Sequence, residues 1–189
     1  MANKMLKAML ALSFLFTVAH SSFSQAKQWA VNQGHSQQVN AVAFYNDGSK
    51  FVSGSKDKTV KVWSMSDFSL LHTETLSDEV IYVALHPVDN RIFVLVFDGT
   101  IKVLDPNSYA ILKTDIYPNS GAGNTLNFFA SNTKYIIAGY DVANPAYHIY
   151  NAATYAPIAG GATTNYPAAS EIYFTSVSKD SQYIVSITK

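Results

Sequence analysis

The feature that most constrains this chain is an internal repeat of about forty residues. Three similar stretches and a weaker fourth follow one another, and they begin at Val42, Val83, Leu126 and near Ile172. Their predicted equivalent core positions, spaced 41, 43 and 48 residues apart, are Phe51, Ile92, Tyr135 and Tyr183. Self-similarity at a fixed period of this length indicates units that bury their apolar faces by stacking on one another. We therefore expect one supersecondary unit per copy.

Each copy follows the same plan of short strands and tight turns. In the first copy the alternating strand "VNAVAF" leads through a polar turn to the apolar strand "KFVSG", and a turn with Asp57 leads to a third strand. The next two copies carry Asp98 and Asp141 at the same turn. Alternating apolar and polar residues indicate strands with one covered face. Period and plan together predict an all-β chain, a partial β-propeller with about three full four-stranded blades and an incomplete fourth.

The first 24 residues form an element of their own. Two lysines precede an apolar run of 12 residues from Ala8 to Ala19, which is short of the roughly 20 residues needed to cross a bilayer. Ser22 and Ser24 then suit the small-residue positions of a signal-peptidase site. This pattern predicts a secretory signal peptide over residues 1–24 and a secreted or periplasmic mature chain. The alternative is a buried N-terminal strand or helix.

Composition and charge narrow the range of partners and cofactors. The formal net charge is zero and no block of like charges occurs, so the basic face of a nucleic-acid binder is missing. There is no cysteine, and the five histidines lack ligand spacing, which argues against thiolate or imidazole metal sites. We predict no nucleic-acid partner, no metal, no cofactor and no membrane span in the mature chain. The pair His86-Pro87 is expected in a surface turn.

One stretch carries a recognisable motif. Residues 34–64 read "GHSQQVNAVAFYNDGSKFVSGSKDKTVKVWS", from the pair Gly34-His35 to the aromatic Trp63 and the serine after it. This stretch resembles a WD repeat almost position for position, so the chain is similar to the WD-repeat β-propeller family. The resemblance is strong in this copy and degenerate in the others. It implies a non-enzymatic protein-interaction or scaffold module that holds a protein or peptide partner.

The resemblance also assigns a role to four polar side chains. In WD repeats the matching residues form a buried hydrogen-bonded tetrad, which here is His35, Ser53, Asp57 and Trp63, with Ser55 as the alternative hydroxyl. The same serine, histidine and aspartate are the residue types of a nucleophilic triad. A catalytic serine needs an exposed oxygen and oxyanion donors, and no Gly-x-Ser-x-Gly elbow occurs in the chain. We therefore predict no catalytic residue.

Partners of WD-repeat propellers usually dock on the face formed by the loops entering the first strands and the turns before the tetrad aspartate. Carried over, that face contains Gln37, Asn40, Lys56, Glu79, Phe97 and Tyr140. Phe97 and Tyr140 are the candidate anchors, because an exposed aromatic suits peptide binding; alternatively, they cover a neighbouring blade. The rival interpretation is an exported propeller enzyme or ligand-binding propeller, lactonase-like or quinoprotein-like. No recurrent acidic or histidine position supports it.

The repeats divide residues 25–189 into blades with predicted bounds of about 35–75, 76–116, 120–160 and, for the incomplete blade, 168–189. WD-repeat propellers usually have about seven blades, or about 300 residues. Three arrangements stay open: a piece of a longer propeller, two chains around one axis, and an open arc or small closed ring. Uncovered faces and strand edges favour association, so self-association is expected if the chain acts alone.

Overall fold

The computed structural model of this chain describes residues 34–116, 123–139, 147–158 and 172–188. In these ranges the regular elements are β-strands, and they form four antiparallel sheets, which we call blades 1 to 4. Blade 1 contains β1 (Val39–Phe44), β2 (Lys50–Ser55), β3 (Thr59–Ser64) and β4 (Leu70–Thr75). Blade 2 contains β5 (Val80–Leu85), β6 (Ile92–Val96), β7 (Thr100–Leu104) and β8 (Ile111–Ile116). The predicted all-β class with propeller-type blades is confirmed.

Blades 3 and 4 contain fewer strands within the described ranges. Blade 3 contains β9 (Gly123–Phe128), β10 (Lys134–Gly139) and β11 (Tyr147–Asn151), and blade 4 contains β12 (Ile172–Val177) and β13 (Ile184–Thr188). Where a fourth strand of blade 3 is expected, Pro157 forms a single bridge with Tyr150. Residues 159–171 lie outside the described ranges, as does the predicted signal peptide, which stays a prediction.

The first hairpin of each blade has the same length. It closes with the pairs Phe44 and Phe51, Leu85 and Ile92, Phe128 and Tyr135, and Val177 and Ile184. In blade 4 the equivalent of Phe51 is therefore Ile184, and the sequence prediction of Tyr183 was wrong by one position. The reason is local: the Ser178 N–H donates to the carbonyl of Tyr183 at 2.9 Å, which keeps Tyr183 in the turn and 69% exposed.

Successive blades stack on one another. We call the face of each blade that carries Phe51 or its equivalent the front, and the opposite face the back, because alternate side chains of a strand point to opposite faces. The back of blade 1 packs on the front of blade 2 through Val52, Val60, Val62, Val83 and Ile92. The next two contacts join Phe93 and Leu95 with Leu126 and Tyr135, and Ile136 and Ala138 with Val177 and Ile184. The described core therefore lies between blades.

One glycine brings blades 1 and 2 close together. A Cβ atom at Gly54, on the back of β2, would overlap Val80 and lie 2.9 Å from Cγ1 of Val83. Both valines belong to β5, and they are 0% and 3% exposed. Because interiors are close-packed, a larger residue at this position would push the two blades apart.

A cation joins each of the first two blades to the next at the end where the first hairpins turn. The ammonium group of Lys50 in blade 1 lies 5.5 Å from the ring centroid of Tyr109 in blade 2. Arg91, at the equivalent position of blade 2, lies 5.5 Å from the ring centroid of Tyr155 in blade 3. Both tyrosines have left-handed backbones, with φ of 60° and 61°. The repeated contact stabilises the stacking through cation–π attraction.

His86 lies at the same end, and the expectation of a surface position was wrong. The residue is 5% exposed. Its Nε2–H group donates to the carbonyl of Asn132 in blade 3 at 2.8 Å, and its Nδ1 atom lies 2.8 Å from the carboxylate of Asp89. The turn that carries His86 contacts the next blade, and the sequence of one repeat does not show that neighbour.

Candidate functional site

Four polar side chains on the front of blade 1 form one hydrogen-bonded chain. His35 precedes β1, Ser53 lies in β2, Asp57 follows β2 and Trp63 lies in β3. The Nδ1 atom of His35 lies 3.0 Å from Oδ2 of Asp57, and its Nε2 atom lies 2.7 Å from Oγ of Ser53. The indole N–H of Trp63 donates to the same serine oxygen at 2.9 Å. The structure thus brings together the four residues that the resemblance assigned.

The chemistry of these groups sets the direction of each hydrogen bond. A carboxylate only accepts, so Nδ1 of His35 carries the proton and donates to Asp57. The Nε2 atom then accepts from the Ser53 hydroxyl, whose oxygen accepts from Trp63. The side chains of His35 and Asp57 are 2% and 7% exposed, and Ser53 and Trp63 are 4% and 3% exposed. A buried polar set in which each member has a partner rigidifies the sheet around it.

Asp57 also organises the turn after β2. Its Oδ1 atom accepts from the Thr59 hydroxyl at 2.6 Å and from the Thr59 N–H at 3.0 Å, and its Oδ2 atom accepts from the Ser36 N–H at 2.9 Å. Burial by itself raises the pKa of Asp57, but the hydrogen bonds from Thr59, Ser36 and His35 outweigh it and lower the pKa to about 2. The carboxylate is therefore charged at neutral pH and fixes the orientation of the imidazole.

Thr59 belongs to this arrangement, although it was not among the residues predicted from the sequence. Its hydroxyl lies 3.0 Å from Nδ1 of His35 as well as against the aspartate. The available signal was the recurrence of threonine two residues after the turn aspartate. In blade 2, Thr100 follows Asp98 in the same way, and its N–H donates to that carboxylate at 2.8 Å. Ser77 there donates to Asp98 at 2.5 Å, from the place that Ser36, whose N–H donates to Asp57, holds in blade 1.

The geometry also bears on the triad alternative. The spacing of Asp57, His35 and Ser53 is within the range of a base and its nucleophile. The serine oxygen, however, already accepts the Trp63 N–H, and Ser53 is 4% exposed. A nucleophile must reach a substrate carbonyl beside oxyanion donors. A serine that is buried and occupied in this way is suited to hold a tryptophan in place rather than to attack a substrate.

Most residues of the predicted partner face lie on the surface at one end of blades 1 and 2. Lys56 and Glu79 form an ion pair of 3.9 Å with side chains 42% and 37% exposed. Gln37 is exposed as well. Phe97 is 54% exposed, although its N–H donates to the carbonyl of Glu79 at 2.8 Å. The backbone of Phe97 is thus held while its ring faces solvent.

One residue assigned to that face links the two blades, and another lies outside the described residues. The side-chain amide of Asn40 donates to the carbonyl of Val80 at 2.8 Å, so this residue links blade 1 to blade 2. Tyr140 lies outside the described residues. Ser55, the alternative tetrad hydroxyl, instead donates to the carbonyl of Gln37 at 3.3 Å.

Over residues 34–116, 123–139, 147–158 and 172–188, no three histidine, aspartate or glutamate side chains converge as metal ligands. Over the same ranges, no helix has the length and apolar character needed to cross a membrane.

Comparison with known proteins gives one family match and several similar proteins. The profile described as "WD domain, G-beta repeat" matches residues 26–64. DmX-like protein 1 of Mus musculus is 32% identical over 108 residues, which cover 49% of this chain and 4% of that protein. The periodic tryptophan protein 2 homolog of Dictyostelium discoideum is 34% identical over 90 residues, covering 46% and 10%. Its Caenorhabditis elegans counterpart is 28% identical over 117 residues, covering 59% and 12%.

These matches cover only a small share of each relative. The chain spans between 4% and 12% of the length of these relatives, so the likeness concerns a small part of each. The matched residues 26–64 include the whole hydrogen-bonded tetrad of blade 1. Together with the four antiparallel sheets, they identify a WD repeat in residues 26–64 and make the chain similar to WD-repeat proteins.

Proposed function

We propose that this chain is a non-enzymatic, extracytoplasmic module that holds a protein partner on the surface around Phe97. The observation that carries the proposal is a solvent-facing aromatic ring on a fixed backbone, with 54% of Phe97 exposed. Aromatic side chains dominate the energetics of protein interfaces, because they bury a large area at a low cost in conformational entropy.

The charged side chains around this ring indicate which kind of partner would bind there. Lys56 and Glu79 form one exposed ion pair, and Lys58 and Asp78 form a second at 3.1 Å. Both signs of charge are therefore present within the same surface. Such a rim suits a protein segment with mixed charges and one apolar side chain for Phe97, and it does not suit a polyanion.

A selection of displayed peptides against the full chain tests this surface. Phe97→Asp should weaken the binding of selected peptides at least about tenfold, because the anchor ring is lost. The matched control is Val88→Asp, since Val88 is 68% exposed and lies at the opposite end of β6. Equal binding by the wild type and Phe97→Asp would contradict the proposal. Equal loss in both variants would point to a general effect of added charge.

The extracytoplasmic part of the proposal rests on the first 24 residues. The charged, apolar and small-residue pattern there is the support for export. Sequencing the N-terminus of the protein recovered from a secretion-competent host should give a start near Gln25. A product that retains Met1 and stays inside the cell would contradict export without affecting the partner surface.

The rival function, a lactonase-like or quinoprotein-like propeller enzyme, requires an accessible reactive group. Ser53 is the candidate with suitable spacing, and its burial and its hydrogen bond from Trp63 support the non-enzymatic proposal. Labelling of the folded chain by a serine-directed fluorophosphonate separates the two. No labelling at Ser53 is expected, and stoichiometric labelling that Ser53→Ala abolishes would favour the enzyme.

A further inference from the structure

In blades 1 and 2 the residue directly after the first strand is a buried donor that reaches the next blade. In blade 1 this residue is Tyr45, whose hydroxyl donates to the carbonyl of Pro106 in blade 2 at 2.9 Å. In blade 2 it is His86, whose Nε2 atom lies 2.8 Å from the carbonyl oxygen of Asn132 in blade 3. Both donors are 5% exposed. One backbone position thus links two successive pairs of blades, through a phenol at the first and an imidazole at the second.

The neighbours of the His86 ring determine where its protons lie. The Asn132 carbonyl only accepts hydrogen bonds, so Nε2 carries a proton. On the other side of the ring, Nδ1 lies 2.8 Å from Oδ1 of Asp89, and a carboxylate also only accepts. The N–H of Asp89 lies 3.4 Å from Nδ1, which is a longer and weaker contact. Either neutral form of the ring would direct a lone pair at a nearby oxygen, whereas the imidazolium donates to both.

A second cation binds the same carboxylate. The Nε–H group of Arg91 donates to Oδ2 of Asp89 at 2.9 Å, while Nδ1 of His86 faces Oδ1. Arg91 also donates to the hydroxyl of Tyr155 in blade 3. The charge of Arg91 opposes that of an imidazolium, but the carboxylate attracts both cations and offers a separate oxygen to each.

Among the described residues, the other elements packed against the His86 ring present neutral groups. Blade 3 contributes the carbonyl of Asn132 and the ring of Phe128, which meets the imidazole edge to face at 5.2 Å between centroids. The turn of blade 1 reaches the neighbouring Pro87 with the neutral amide of Asn46. Within the described ranges, the anion that faces the ring therefore belongs to its own turn, and it stabilises the charged form.

The two equivalent donors differ in their response to pH. Burial raises the pKa of the Tyr45 phenol, so this group keeps its proton throughout the neutral range. A histidine side chain, in contrast, changes its charge between about pH 5 and about pH 8. A change of pH in this range therefore acts on the contact between blades 2 and 3 and leaves the equivalent contact of Tyr45 unchanged.

We infer that His86 is a pH-dependent clamp, which holds blade 3 to blade 2 as an imidazolium and loses one of its two acceptors when it loses a proton. The folded chain offers the charged ring two acceptors, whereas the unfolded chain offers water. The stability that His86 contributes is therefore complete below about pH 6.5, where free histidine is charged, and disappears as the pH rises and the folded ring loses its proton. The clamp lies at the opposite end of β6 from Phe97, so it is independent of the proposed partner surface.

Nitrogen-15 NMR of the full chain with labelled histidine tests the charge of the ring directly. His35 is the internal comparison, because its Nε2 atom faces the hydroxyl of Ser53, which can donate, and a single ring proton suffices. The variant His86→Tyr identifies the signals of His86. At about pH 7, above the value of about 6.5 for free histidine, His86 should show two protonated nitrogens and His35 one. A nitrogen without a proton on His86 at this pH would overturn the inference.

Denaturant unfolding of the full chain between about pH 5.5 and about pH 8 measures the consequence for stability. The unfolding midpoint of the wild type should fall relative to that of His86→Tyr as the pH rises, because tyrosine holds the equivalent position in blade 1 without titrating in this range. Midpoints that change in parallel would overturn the inference.

The variant Asp89→Asn provides a second test if His86→Tyr fails to fold. It removes the carboxylate that faces Nδ1 of His86, so the pH dependence over the same range should be smaller than in the wild type. Asp47→Asn is the matched control, since Asp47 lies in the equivalent hairpin turn of blade 1 and accepts from Ser49. The control should keep the wild-type pH dependence. An Asp89→Asn chain with the full wild-type pH dependence would overturn the inference.

Discussion

Blades 1 and 2 share one backbone plan, but the central strands carry polar side chains on the front of blade 1 and apolar side chains on the front of blade 2. In blade 1 the front of the central strands carries Ser53 and Trp63, joined by a hydrogen bond of 2.9 Å. In blade 2 the equivalent residues are Val94 and Leu104, both fully buried in the apolar contact with blade 1. The aspartate of the following turn occurs in both blades. The turn with its aspartate is thus common to both blades. The front of a blade, in contrast, carries either the polar tetrad or apolar residues.

The difference has a physical reason. A buried polar set whose members are all paired and an apolar filling of similar volume are often close in free energy, but a half-paired set is costly. Blade 2 has lost the histidine, the serine and the tryptophan together, so no polar group is left without a partner at those places. We expect blade 1 to respond to substitution as a network and blade 2 to respond as a packed core.

The largest effect is expected for Trp63→Ala. It removes a large buried side chain, its stacking on Phe51 at 5.9 Å and the donor to Ser53, and should cost about 3–5 kcal/mol. Leu104→Ala is the matched change in blade 2 and should cost about 2–5 kcal/mol from the cavity alone. Denaturant unfolding followed by circular dichroism measures both. An unchanged midpoint for Trp63→Ala would contradict a structural tetrad.

His35→Ala tests whether blade 1 behaves as a network. Because Ser53 and Asp57 would each lose a buried partner, the change should lower the free energy of unfolding by about 1–3 kcal/mol. Ser77→Ala, which removes the exposed donor to Asp98, should cost less than about 1 kcal/mol. In the double variant His35→Ala/Ser53→Ala the losses should be less than additive, since the partners interact directly. Strict additivity would show that the two residues act independently.

The back faces of blades 1 and 2 differ at the position of Gly54. Gly54→Ala adds a methyl group where Val80 and Val83 leave no room, and overpacking of this kind should cost about 1–3 kcal/mol. Gly34→Ala is the control, because nothing lies within 4 Å of its Cβ position. At the equivalent place in blade 2, Leu95 is buried in the contact with blade 3, so Leu95→Ala should also lower the free energy of unfolding. A neutral Gly54→Ala would mean that the blades can separate at little cost.

The smallest effect concerns pH. The pKa of Asp57 is lowered to about 2 in the folded chain, against about 3.9 for a free aspartate. A lowered pKa contributes stability that is complete above the unfolded value and disappears as the pH falls through the folded one. The stability difference between wild type and Asp57→Asn should therefore narrow from about pH 5 to about pH 2. A constant difference over this range would contradict the assigned role of the carboxylate.

Much of the site could be predicted, because the residues concerned are close in sequence and carry a motif. His35, Ser53, Asp57 and Trp63 lie within one repeat, and the resemblance named all four before their distances were known. Thr59 could have been added from the recurring spacing after the turn aspartate. The hydrogen bond of Asn40 to Val80 could not be predicted, since Val80 lies 40 residues away in the next blade.

The sequence by itself determined the repeat, the all-β class and the polar turns, because alternation and turn residues act over a few neighbouring positions. Only the tertiary structure decided which faces meet and that His86 is buried. Those outcomes depend on the contact between one blade and the next. A side chain there is buried or exposed according to a neighbour about forty residues away, and local sequence rules do not contain that neighbour.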